Sequence, residues 1–173
     1  AFSLAFSSAT LSPRSSSTSS PGRPITPGPR FYDSEGTANT NVIGHAGMTL
    51  AIVEAGGPLM SLTDDLDTVE SIDFNGTLDG SFSAHPKVDP VTGEIHVAAY
   101  HWTWDFIRYL VVNAEGTAVT RKVDVPVGYS PMVHDIHITE SSALLLDFPC
   151  RFNLERAMEG HQLPYLWVDN EPG

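Results

Sequence analysis

Five times between residues 40 and 148 the sequence sets two short β-type runs on either side of a turn, and this repeated pairing limits the fold more than any other feature. Runs 40–45 and 48–54 flank Ala46-Gly47; runs 58–62 and 69–74 flank the acidic stretch Thr63-Asp64-Asp65-Leu66-Asp67. Runs 81–88 and 94–101 flank Asp89-Pro90-Val91-Thr92-Gly93, where proline presets φ and glycine accepts positive φ. Runs 106–112 and 117–125 enclose Asn113-Ala114-Glu115-Gly116, and runs 132–138 and 143–148 enclose Thr139-Glu140-Ser141-Ser142. The reading is an all-β chain of about ten strands. Only residues 153–159 read as a helix, with Asn153 as N-cap and Gly160 past the end.

Strand trains of this kind form sandwiches, barrels or propellers. A propeller blade uses four strands in about 40–45 residues. About ten strands therefore amount to roughly two to three blades, fewer than the roughly four that close the smallest ring.

Composition narrows the partners. Residues 1–30 hold nine serines, five prolines, three arginines and no acid, so the other residues carry 21 acidic side chains against six basic ones. A body this acidic repels phosphate backbones, which argues against nucleic acid. The Ser/Pro-rich stretch, taken as a tail over residues 1–36, cannot offset the entropy of ordering its backbone and reads as disordered. A plastid or mitochondrial transit peptide, a plain tail and a wrongly joined gene start all fit it. The sequence starts at Ala1 and not at methionine, and reads as an incomplete chain whose folded part occupies residues 37–173. One cysteine, Cys150, excludes an internal disulfide and suits a reducing compartment, cytoplasmic or, if the tail is a transit peptide, plastid. No apolar run is long enough to span a bilayer, which leaves peripheral membrane contact open.

Seven histidines are available for chemistry: His45, His85, His96, His101, His134, His137 and His161. None shows helical His-x-x-x-His spacing, so a metal site must be assembled from separate strands. His85 precedes Pro86, which cannot continue a central ladder, and so lies near a strand end where axial residues of a propeller converge. Within residues 131–139, period-two alternation puts His134 on one face with Ile136 and Ile138, and His137 on the other. Cys150, at the end of an apolar run, reads as a packing residue. Tyr100, Trp102 and Trp104 read as one strand face, and Asp64, Asp65 and Asp67 as a solvated turn without the spacing of a calcium loop.

Five segments in order carry a resemblance. They are Asn39-Thr-Asn-Val-Ile-Gly-His45-Ala-Gly47, Ala51-Ile-Val-Glu54-Ala-Gly56, residues 84–94, His134-Asp-Ile-His-Ile-Thr139 and Leu146-Asp-Phe-Pro149. On these the chain, from about Asn39 to Asn170, resembles the N-terminal portion of the carotenoid cleavage oxygenases, the family of the apocarotenoid, retinoid and lignostilbene enzymes. The resemblance implies a seven-bladed β-propeller with a non-haem Fe(II) on its axis, held by four histidines and no organic cofactor. It matches His85 to the first ligand, His134 to the second, and Glu54 to a carboxylate that accepts a ligand N–H, foremost that of His134. Such a partner sets the tautomer and direction of the ring.

The implied activity is O2-dependent cleavage of one C=C bond of an apolar conjugated substrate, a carotenoid or apocarotenoid, to two carbonyl products. Val53 stands where lignostilbene-type members tend to carry a lysine, which favours the carotenoid-like class. The third and fourth ligands of the family have no match before Gly173, and His161 lies in a different context. The chain alone is therefore expected to be inactive. The alternative is a non-catalytic β-rich binding module that keeps the strands without the iron.

Overall fold

The computed structural model describes Ala38 and residues 40–169; the expected tail over 1–36 lies outside them. Strands β1 (Asn41–His45), β2 (Met48–Ile52), β3 (Leu59–Leu62) and β4 (Thr68–Ile72) form an antiparallel sheet in sequential order. Strands β5 (Lys87–Val88), β6 (Ile95–Ala99), β7 (Phe106–Val112) and β8 (Val119–Pro126) repeat the pattern. Four-stranded meanders side by side are propeller blades, in line with the two to three expected. Two shorter ladders follow: β9 (Ile136–Ile138) pairs with β10 (Ala143–Leu145), and β11 (Cys150–Phe152) pairs with β12 (Tyr165–Trp167).

Local chemistry explains the turns. Ala46 (φ 50°) and Gly47 (φ 78°) are both left-handed, as a two-residue hairpin loop between twisted strands requires. In the β7–β8 loop, Asn113 Oδ1 accepts the N–H groups of Thr117 and Ala118. Helix α1 (Leu154–Met158) is capped by Asn153, whose side chain accepts the Arg156 N–H at 2.9 Å.

Alternation along β6 and β7 divides the apolar residues between two clusters. Ile95, Val97, Ala99, Leu110 and Val112 pack with Leu50, Ile52, Leu59 and Phe82 between the two sheets. Ala98, Tyr100 and Ile107 pack with Val133 and Ile136 in a second cluster. The second sheet is thus apolar on both faces, as a layer inside a stack must be.

Three expectations are corrected. Residues 81–86 are not a strand, although Ser81, Phe82, Ser83 and Ala84 are all buried. Side chains satisfy part of their backbone environment: Asn41 Nδ2 donates to Ala84 O at 2.8 Å, and the Ala84 N–H donates to Glu54 Oε1 at 3.2 Å. Ladder β9 starts only at Ile136, so His134 precedes the strand and its direction is not set by alternation. Tyr100, Trp102 and Trp104 do not share a strand face either. β6 stops at Ala99, a turn closes with Trp104 N–H donating to His101 O at 2.9 Å, and Trp104 stacks on Phe106 at 4.8 Å. Strands β11 and β12, three residues each, were not anticipated from the sequence.

Candidate metal centre

The chain leaves β2 through Val53 and presents Glu54 just before Ala55, whose φ of 54° turns the backbone away. His85 comes from the buried non-strand segment before β5, and His134 from the segment before β9. The fold brings these three together: one donor atom from each lies within 4.8 Å of the others. Glu54 Oε1 is 3.8 Å from His85 Nε2 and 3.9 Å from His134 Nδ1, and the imidazole centroids are 4.3 Å apart. Glu54 is thus almost equidistant from the two rings.

The carboxylate is the fixed point of the cluster. Oε1 accepts the Ala84 N–H at 3.2 Å and the Ser83 hydroxyl at 3.5 Å, which ties it to the backbone beside His85. Oε2 is buried with no close hydrogen-bond partner, and the Tyr100 phenol directs its proton at the same carboxylate. Burial, followed by the Glu54 charge, pushes the Tyr100 phenol well above its ordinary range. Exposure rises across the cluster, from 17% for the Glu54 side chain to 33% for His85 and 59% for His134.

Two imidazole nitrogens and a carboxylate oxygen are a donor set for Fe, Zn, Cu or Ni. The three donor atoms span no more than 4.8 Å, close to the roughly 4.2 Å that separates two donors each about 2.1 Å from one ion. The residues present therefore fit a metal ion.

The other histidines are engaged locally. His45 Nε2 lies 2.9 Å from Asn113 O, His96 Nδ1 lies 2.6 Å from the Tyr109 hydroxyl, and His101 Nδ1 lies 2.7 Å from Thr103 Oγ1. Burial holds the His101 imidazole below its ordinary pKa. His137 is exposed on β9, and His161 lies 3.2 Å from Glu159. Among the described residues, Glu54, His85 and His134 are the one group of three with metal-ligating geometry.

Sequence reasoning missed the wall beside His134. Met132, Leu146, Phe148, Cys150 and Trp167 line an apolar cavity of about 180 Å³ that opens onto His134 and Asp135. Cys150 belongs to this wall as a packing group: burial raises its thiol pKa, and its Sγ rests 3.5 Å from Met132 Sδ. Also missed was an ion pair, Lys87 Nζ to Asp135 Oδ1 at 2.6 Å, between one residue two places after His85 and one directly after His134. The available signal was two unlike charges, each within two residues of a candidate ligand.

Known proteins share this arrangement of strands. The chain is 45% identical over 135 residues to a carotenoid cleavage oxygenase of Mycobacterium tuberculosis, covering 76% of this chain and 27% of that protein. It is 38% identical over 133 residues to carotenoid 9,10(9',10')-cleavage dioxygenase 1 of Arabidopsis thaliana, covering 75% of this chain and 24% of that one. It thus spans about a quarter of the length of these relatives. The crystal structure of Pseudomonas brassicacearum lignostilbene dioxygenase superposes with a TM-score of 0.72 at 27% identity, covering 82% of this chain and 30% of that one. Cobalt-substituted Synechocystis ACO shares the fold with a TM-score of 0.67 at 22% identity, over 80% of this chain and 31% of that one. The family model of RPE65, retinal pigment epithelial membrane protein, matches residues 10–172. With nearly its whole length matched, the chain belongs to that family, the carotenoid cleavage oxygenases, and its two sheets are blades of their β-propeller.

Proposed function

We propose that His85 and His134 are two ligands of a non-haem Fe(II), and that the complete site cleaves one C=C bond of a carotenoid or apocarotenoid with O2 to give two carbonyl products. The observation that supports this most is the meeting of Glu54, His85 and His134, from three distant segments, with one donor atom of each within 4.8 Å of the others. A non-catalytic module would not require that convergence.

When bound, Fe(II) with open positions supplies O2 chemistry that no side chain provides. The residues of this chain do the rest. His85 and His134 donate imidazole nitrogen, and Glu54, anchored on the Ala84 N–H, orients both rings and offsets part of the 2+ charge. Met132, Leu146, Phe148 and Trp167 form an apolar wall beside His134 against which a conjugated hydrocarbon can lie. Val53 precedes Glu54 on the polypeptide and offers no amine to a phenol, which favours the carotenoid-like class over stilbenes. Two imidazoles hold iron without defining a full coordination sphere, so turnover requires further ligands.

No helix among the described residues is long and apolar enough to cross a membrane. A cytoplasmic location with peripheral membrane contact, where apolar substrates partition, accords with this reading.

Anaerobic Fe(II) titration of the purified chain tests the site. Weak binding that falls at least about ten-fold in both His85→Ala and His134→Ala is expected; unchanged binding in either variant removes that histidine from the site. Incubation of the 173-residue chain with a β-apocarotenal should yield no product above background. Efficient cleavage would show that the ligands present suffice.

A further inference from the structure

We propose that the ion pair between Lys87 and Asp135 is a latch that holds the His85 and His134 imidazoles against one another, which makes both charged residues positioning residues of the candidate metal centre. This rests on the metal reading above for its use, but not for its geometry.

The two histidines arrive differently. His85 follows the buried Ala84, whose peptide is gripped on both sides by Asn41 and Glu54. His134 lies between two buried anchors, Val133 and Ile136, each 1% exposed. The dipeptide His134-Asp135 between them projects outward, with side chains 59% and 39% exposed. Anchors on either side hold the chain at that place, but they leave the direction of an exposed imidazole free to vary. Lys87 Nζ contacts Asp135 Oδ1 at 2.6 Å, and Asp135 Oδ1 also accepts the Ile136 N–H at 2.7 Å. Pro86, with φ restricted by its ring, separates Lys87 from His85. Pulling Lys87 onto Asp135 therefore pulls the His85 segment onto the His134 segment, and the rings meet with centroids 4.3 Å apart.

A half-exposed ion pair contributes little to overall stability, so its effect is sought in local geometry. The sign of the effect separates this role from plain electrostatics. Lys87 is a cation close to a cation site, so if charge alone mattered its removal would strengthen metal binding. A latch requires the opposite.

The test uses the full chain with Lys87→Met, Lys87→Arg and Asp135→Asn. In the metal-free protein, ¹H NMR should show cross-relaxation between ring protons of His85 and His134. It should be retained in Lys87→Arg and lost in Lys87→Met and Asp135→Asn. Anaerobic Fe(II) affinity should fall about ten-fold in Lys87→Met and stay near wild type in Lys87→Arg. Absence of the cross-peak from wild type, its persistence in Lys87→Met, or equal or tighter Fe(II) binding by Lys87→Met overturns the latch. If the cross-peak follows the latch but the wild-type chain binds no Fe(II), the latch stands and the metal reading fails.

Discussion

Between β2 and β7 the apolar side chains point into a shared interior, and Leu50, Ile52, Ile95, Val97, Leu110 and Val112 are each 0% exposed. After β8 the ladders shrink to three residue pairs each, and Leu144, Leu146, Phe148, Leu166 and Trp167 are 38–62% exposed. The candidate site straddles this divide. Glu54 follows β2 directly and His85 follows the buried Ala84, whereas His134 hangs from the edge of the thinner region by two side chains, Val133 and Ile136. A metal centre is only as well defined as its least constrained ligand. The His134 side therefore decides how sharply the geometry is held.

Four substitutions would break or sharpen this contrast. The largest effect is expected for Leu110→Ala, which empties the space between the sheets and should cost about 3 kcal/mol in urea unfolding. A loss below about 1 kcal/mol would mean that the sheets do not share one core.

Next is Arg108→Ala on β7. Arg108 holds Asp124 of β8 through two hydrogen bonds of 2.6 and 2.8 Å and lies 4.8 Å from the Trp104 ring centroid, so about 1 kcal/mol should be lost. The hydrogen bond from Arg108 holds the Asp124 carboxyl below its ordinary 3.8. A depressed carboxylate pKa stabilises the fold above the unfolded value and ceases to do so as pH falls through the folded one. The difference between wild type and Arg108→Ala should therefore be full above pH 3.8 and shrink below it, in thermal melts across that range.

Asn153→Ala removes the cap of α1 and should cost about 0.5–1 kcal/mol locally. Hydrogen exchange should show faster opening of residues 154–158 while the amides of β6 and β7 keep their protection. Smallest is Leu144→Ala, within about 0.5 kcal/mol of wild type, because the side chain is 48% exposed. A loss near that of Leu110→Ala would show that the β9–β10 ladder is as buried in solution as the sheets.

How much of this was legible follows the range of each interaction. The hairpin of β1 and β2 was readable because Ala46-Gly47 sits between two β-type runs, and the cap at Asn153 because its bond to Arg156 spans three residues. Glu54, His85 and His134 could be singled out by resemblance, but not by period: His134 is not on the strand that alternation assigned to it. Residues 81–86 were misread as a strand because Phe82 and Ala84 alternate with Ser81 and Ser83 up to a proline, a pattern they share with true edge strands. Their backbone contacts with the side chains of Asn41 and Glu54 leave no trace in local pattern.

The sequence by itself determined the all-β class, the succession of hairpins and the residues eligible for a site. These depend on turn conformations and side-chain alternation, which act over a few residues. Only the tertiary structure decided that Glu54 stands between two imidazoles, that the Tyr100 phenol directs its proton at the same carboxylate, and that Lys87 meets Asp135 beside them. Those contacts join segments that become neighbours only when the blades pack, so their energies depend on the position of whole sheets and not on any short stretch of chain.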